Sequence, residues 1–194
     1  MCCQPSPSHA AADPVELSVE ERRLLLQVAH RAIEGAFRGK PVETAAPTPR
    51  LAARRGAFTT LHLNGRLRGC VGYILPACSL YRTVAETAVA AAFNDARFLP
   101  VTEAEAARLK VEISVLSHLR PITPDEIEIG RHGLVVTLGL QRGLLLPQVP
   151  VEYGWDRITF LEQTCTKAGL APHAWKHGAV VEAFTAEIFG EAGC

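Results

Sequence analysis

Three observations predict an α+β fold with a largely antiparallel sheet. Two pairs of short apolar runs, Phe58–Val71 and Leu134–Leu146, are joined by connections too short for parallel crossovers. Capping boxes open amphipathic segments between them, and residues 110–116 alternate in the two-residue period of a strand. Helices and strands are thus interspersed, but without the long crossovers of a parallel sheet.

Residues 1–14 (MCCQPSPSHAAADP) are rich in Pro, Ser and Ala, show no period, and read as a mobile arm ahead of one domain over 15–190. Ser18-Val19-Glu20-Glu21 is a capping box. Leu24, Leu25, Val28, Ala29, Ala32, Ile33, Ala36 and Phe37 follow at helical spacing, and Gly39 and Pro41 stop a helix predicted over about 18–38. Residues 40–57, with Pro41, Pro47 and Pro49, read as a long irregular connection. Asn64-Gly65 readily takes the φ > 0 angles of a type I′ turn, and predicts a hairpin between Phe58–Leu63 and Arg66–Val71.

Ser79 caps a second predicted helix that runs to Ala92 or Phe93, and Thr102-Glu103-Ala104-Glu105 opens a short one to about Leu109. In the strand Lys110–Leu116, Val111, Ile113 and Val115 take one face, and Glu112, Ser114 and Leu116 the wetter one. Glycines bracket Gly133–Gly139 and Gly143–Pro147, which predicts a second hairpin. Asp156 caps a helix that ends at Gly169, and Val180–Phe189 reads as a final strand.

Composition bounds the function. Twenty basic and twenty acidic residues give a formal net charge of zero, and no long basic run supports nucleic-acid binding. No apolar stretch reaches the ~18 residues that span a bilayer, and the first residues lack the pattern of a secretory signal, so no membrane is expected and the default location is cytoplasmic. The six cysteines, at 2, 3, 70, 78, 165 and 194, show neither a paired C-x-x-C nor a disulfide framework. Cys165 falls in a helical apolar pattern, Cys78 in a loop, and Cys2, Cys3 and Cys194 near the ends.

Leu67-Arg68-Gly69-Cys70-Val71-Gly72-Tyr73 is the segment with chemical content. In an unbulged hairpin Leu61 faces Arg68 and Thr59 faces Cys70. Arg68 and Cys70 then share a face roughly 7 Å apart, with His62 on the other. A cation favours the reactive thiolate, whereas the glycines mark either a bulge or a close approach of ligand or backbone. A bulge at Gly69 would undo the same-face arrangement.

These residues, with others downstream, resemble the AMMECR domain family, whose prokaryotic members are called AmmeMemoRadiSam system protein A. The resemblance rests on Leu67–Gly72, Asp95 with Arg97-Phe98, Val111–Ser117, Gly130–Leu134, Gly143–Val149, Tyr153–Asp156 and Phe160–Leu170, which together span about 17–189 in order. It implies two unequal lobes, the larger built on an antiparallel sheet with flanking helices, and a cleft between them to which Arg68-Gly69-Cys70 contributes. It carries no established activity. The family's genes often accompany a Memo-type protein and a radical S-adenosylmethionine protein, which implies these as partners. Tyr73 and Leu99 depart from the family's common threonine and proline.

Two readings of the site follow. In the first, a binding or adaptor component holds a small anionic ligand or a partner's segment at Arg68, Gly69, Cys70 and Gly72. The absence of an evident Cys/His pair, of metal-ligand spacing and of a phosphate-binding loop favours it. In the second, Cys70 is the nucleophile of an enzyme, with Arg68 on an anionic group and the Gly69 or Gly72 N–H at an oxyanion. Its base would be His132 or Glu112, because the register removes His62. A metal-handling role through Cys70 is a third alternative, and the sequence leaves any cofactor unassigned. Gln148 reads as a further cleft residue or as a hydrogen-bond partner of buried backbone. Asp95 and Arg97 are expected to form a structural ion pair.

Overall fold

The structure, a computed structural model, describes residues 16–42, 45–75 and 77–192. The expected N-terminal arm, with Cys2 and Cys3, and Cys194 lie outside them. In chain order the elements are α1 (Val19–Phe37), α2 (Pro49–Ala52), β1 (Ala57–Leu63), β2 (Arg66–Tyr73), α3 (Leu80–Phe93), α4 (Glu103–Ala106), β3 (Lys110–Leu116) and β4 (Arg120–Pro121). They continue with β5 (Gly133–Leu138), β6 (Gln141–Leu145), α5 (Gln148–Glu152), α6 (Arg157–Lys167), β7 (Val180–Phe184) and β8 (Ala186–Gly190). Every strand pairing is antiparallel, as expected for the α+β class. The described residues divide into two units, Ser117–Thr185 and a larger one formed by those from 16 to Leu116 with those from Ala186 to 192.

In the larger unit the sheet order is β2-β1-β3-β8, which makes β2 an edge strand. The predicted capping box is in place: Ser18 Oγ accepts the Glu21 N–H and Glu21 reaches back to the Ser18 N–H. Leu25, Val28, Ala29 and Ile33 of α1 and Val84, Ala85 and Ala88 of α3 form one core with Leu61, Val111, Ile113 and Val115. Each large aliphatic side chain buried there contributes about 1.5–3 kcal/mol. The many alanines of α3 let its backbone approach the sheet, and Gly69 receives it: a Cβ there would lie 2.1 Å from the Ala91 carbonyl oxygen. One face of the sheet therefore holds Thr59, Leu61, Val111 and Ile113 against the helices. The opposite face carries Phe58, Thr60, His62, Glu112 and Ser114.

The hairpin turn has Asn64 at φ 53° and Gly65 at φ 74°, as a type I′ loop requires. The connection expected to be irregular contains α2, capped by Thr48 with Pro49 in its first turn.

In the smaller unit the order is β4-β7-β5-β6. Leu134, Val136 and Ala183 of the sheet pack with Phe160, Leu161 and Cys165 of α6, which places Cys165 in a core as expected. Asp156 caps α6, and Gly169 follows it at φ 75°. The single final strand read from 180–189 is two strands in different sheets. Thr185 separates them, its N–H and C=O bonded to the Ser117 hydroxyl and N–H instead of to either ladder.

Candidate functional site

The face that carries Cys70 is set by a bulge. Leu63 pairs with Arg66 and His62 with Leu67, but Leu61 pairs with Gly69, so Arg68 is the extra residue. Beyond it Cys70 pairs with Thr60, not with Thr59 as in the unbulged register. This overturns the expectation that Arg68 accompanies Cys70 and that His62 lies opposite it. The cause is the close approach at Gly69: the end of α3 presses on that residue, and the strand accommodates it by releasing Arg68 sideways. Cys70, Thr60 and Glu112 therefore form one row across β2, β1 and β3, with His62 on the same face two residues along β1. Directly paired positions lie about 4.5–5.5 Å apart at Cβ, and diagonal ones somewhat beyond.

The released Arg68 is fully employed elsewhere. Its Nε and Nη2 donate to the two oxygens of Glu105, each at 3.1 Å, while Nη1 and Nη2 donate to the carbonyls of Leu99 and Pro100. The Arg68 guanidinium and the Thr102 N–H hold the Glu105 carboxyl down at about 2, burial opposing them. Arg68 thus ties the Leu99–Glu105 segment to the edge strand, a geometry unlike the open anion-holding role read from the sequence.

Arg97 is the cation beside the thiol. Asp95 Oδ2 accepts the Cys70 N–H at 2.9 Å, and Arg97 Nη2 donates to the Cys70 carbonyl at 3.3 Å. The expected Asp95–Arg97 pair is present at 2.7 Å, and it does more than pair. Together the two side chains satisfy the backbone N–H and C=O that Cys70, on an edge strand, turns away from β1. The Asp95 side chain is only 6% exposed and accepts four N–H groups in all. Arg97 in the first place, with the Cys70 N–H, holds its carboxyl well below the usual carboxylate range against the effect of burial.

The thiol itself is half-buried, and the Thr60 hydroxyl donates to Sγ at 3.3 Å. Gly72 is covered by the Phe58 ring, where a Cβ would lie 2.2 Å from a ring carbon, so packing accounts for that glycine. Glu112 is half-buried, and His62 Nδ1 is buried with no hydrogen-bond partner among the described residues. The face thus carries a thiol with a hydroxyl at the sulfur, a carboxylate and an imidazole.

His132 and Gln148 belong to the smaller unit. His132 is 3% exposed, and its Nδ1 accepts the Glu128 N–H across the turn before β5. Burial first, then Arg120, pushes its pKa down. Gln148 opens α5, and its Oε1 is buried without a partner among the described residues, in place of the backbone bond expected for it. His118, His173 and His177 are exposed. Among the described residues no group of three His, Cys, Asp or Glu is placed to hold a metal ion, and no helix is long and apolar enough to cross a membrane.

Sequence reasoning missed Thr60 and Glu105 as neighbours of Cys70 and Arg68, and saw Asp95-x-Arg97 only as an ion pair. The one available signal was Gly69 itself, which admits a bulge.

Residues 26–189 match the family described as AMMECR1. A Methanopyrus kandleri protein, MK0488, is 42% identical over 188 residues, covering 91% of this chain and 91% of that one. A Methanosarcina barkeri protein, Mbar_A1807, is 44% identical over 150 residues, 74% of each. The crystal structure of the uncharacterized protein PH0010 from Pyrococcus horikoshii is similar with a TM-score of 0.76 at 42% identity, covering 87% of this chain and 90% of that one. With a matching profile along most of its length, relatives of this identity and the same fold, the chain belongs to the AMMECR1 family.

Proposed function

We propose that the protein is a binding component that works through the Cys70 face of its larger sheet. There it holds a small anionic ligand or a partner's segment beside a Memo-type protein and a radical S-adenosylmethionine protein. The observation that carries this reading is the clamp on Cys70. Asp95 and Arg97 fix both backbone groups of a half-buried thiol on an edge strand, and Arg97 keeps 57% of its own side chain exposed beside it. The guanidinium available to an anionic group is therefore Arg97, while Arg68 and Gly69 position the strand. In pull-downs, Cys70→Ser keeps its fold and its capture of either partner, whereas Arg97→Glu reduces capture. Capture unchanged in Arg97→Glu, or lost in a folded Cys70→Ser, would refute the reading.

A second reading, a cysteine-dependent enzyme, gains from the bulge, which puts His62 and Glu112 on the face of Cys70. Cys70 would attack as nucleophile, its proton passing through a water to His62, since Glu112 stands a further strand away beyond Thr60. The Cys70 N–H, a common oxyanion donor, is already committed to Asp95, so charge on the substrate oxygen would fall to Arg97. A folded Cys70→Ser variant that loses a turnover catalysed by the wild type would select this reading over binding alone.

A further inference from the structure

A groove runs along α1 away from the Cys70 face, and the proposed function does not use it. It consists of two hollows that share Arg31. The smaller, about 240 Å³, is lined by Arg31, Glu34, Arg38 and Lys40 over Gly35. The larger, about 540 Å³, is lined by Leu26, Gln27, His30 and Glu191, with Arg23 at its edge. Small-molecule sites are typically about 300–1,000 Å³.

Charge is distributed unevenly along the groove. In the larger hollow Arg23 is paired with Glu20, and His30 Nε2 lies 3.1 Å from Glu191. In the smaller one Arg38 and Lys40 form no ion pair among the described residues, and the Arg31 guanidinium is held by the buried Tyr81 hydroxyl at 2.6 Å. Arg38 and Lys40 thus face one carboxylate, Glu34, at that end.

Gly35 is the second, independent observation. Glycine near the end of a helix costs up to about 1 kcal/mol relative to alanine. A Cβ at this position would meet only the Lys40 Cβ, at an ordinary 3.5 Å, so the chain's own packing does not require it. What the missing side chain does provide is an open floor between Arg38 and Lys40. Cations at a helix C-terminus favour the macrodipole, but that effect needs neither a glycine nor a hollow.

We propose that this groove binds a phosphorylated small molecule, its phosphate over Gly35 between Arg38 and Lys40, and its organic part along Leu26, Gln27 and His30. A guanidinium fork and an ammonium match phosphate oxygens, and the neutralised larger hollow suits an uncharged body with hydrogen-bonding edges.

The test is isothermal titration of the full chain at low salt with inorganic phosphate, ribose 5-phosphate, AMP and ADP. At least one organic phosphate should bind about tenfold or more tightly than inorganic phosphate, a difference of about 1.4 kcal/mol. The double variant Arg38→Ala/Lys40→Ala should lose at least tenfold of that affinity. Gly35→Leu should lose as much by filling the floor, with its helix content intact by circular dichroism. Gly35→Gln supplies the same steric block if the leucine variant aggregates, and Arg66→Ala at the exposed hairpin turn should change nothing. Organic phosphates that bind no better than inorganic phosphate would mean an adventitious ion only, and binding that survives both Gly35 variants would place the ligand elsewhere. Either outcome overturns the proposal.

Discussion

Asp95→Ala tests the clamp on Cys70 most directly. The substitution removes the acceptor of the Cys70 N–H at 2.9 Å and of the Arg97 N–H at 3.1 Å, together with the Arg97 ion pair. An N–H left unsatisfied in a half-buried strand costs about 1–3 kcal/mol, and the lost turn bond about 1 kcal/mol more. The ion pair adds little, because Arg97 is 57% exposed and regains water. The expected loss is therefore about 2–4 kcal/mol. Asp95→Asn keeps one carbonyl oxygen for the Cys70 N–H and should lose only about 1 kcal/mol. Urea unfolding must be followed by far-ultraviolet circular dichroism, because both tryptophans, Trp155 and Trp175, report on the smaller unit.

The acid dependence has a definite sign. The Asp95 carboxyl is depressed by Arg97 and the Cys70 N–H, so its contribution is present above the unfolded value of 3.8 and is lost as pH falls below it. The alanine variant should accordingly show a flatter acid limb than the wild type. Hydrogen exchange gives a local readout: the Cys70 amide should exchange on the order of tenfold or more faster in Asp95→Ala. A loss below about 0.5 kcal/mol with unchanged Cys70 exchange would refute the clamp.

Gly69→Ala should destabilise by about 1–3 kcal/mol or more, read in the same urea titration, since its Cβ would lie 2.1 Å from the Ala91 carbonyl and neither backbone can yield cheaply. Glu105→Gln should flatten the acid limb between pH 4.5 and about 2, because a carboxyl depressed by Arg68 stabilises above 4.5 and loses that contribution as pH falls through its folded value; an unchanged limb contradicts this role. Ser18→Ala removes the acceptor of the Glu21 N–H at 3.2 Å and should cost about 1 kcal/mol by thermal unfolding.

Local chemistry was legible in the sequence wherever a few adjacent residues decide it. Ser18, Ser79, Thr102 and Asp156 each cap the helix they were assigned, and Asn64-Gly65 makes the turn. Alternation also separated the two faces of β3, but the face read as the wetter one is not wet along its length: Glu112 is half-buried, while Ser114 and Leu116 are buried. What escaped depends on contacts distant in the chain. The bulge at Arg68 exists because Ala91, some twenty residues on, presses against Gly69, and no local period records that. The exchange of sheets at Thr185 is equally invisible, since the residues on both sides have strand character and only the Ser117 hydrogen bonds part them. At the site, alternation from the turn paired Cys70 with Arg68. One extra residue reversed that, bringing His62 and Glu112 to the thiol's face and sending Arg68 to Glu105.

The central claim, common to both readings of the site, is that the bulge puts Cys70 on one face with Glu112 and His62. Alkylation by iodoacetamide at neutral pH, followed by mass spectrometry on the folded chain, tests it with Cys78 as the internal reference, both thiols being half-buried. The account predicts that Cys70 reacts faster than Cys78, and that His62→Ala and Glu112→Gln each change the Cys70 rate while leaving the Cys78 rate and the melting temperature in place. Equal rates at the two thiols, unmoved by either substitution, would contradict it.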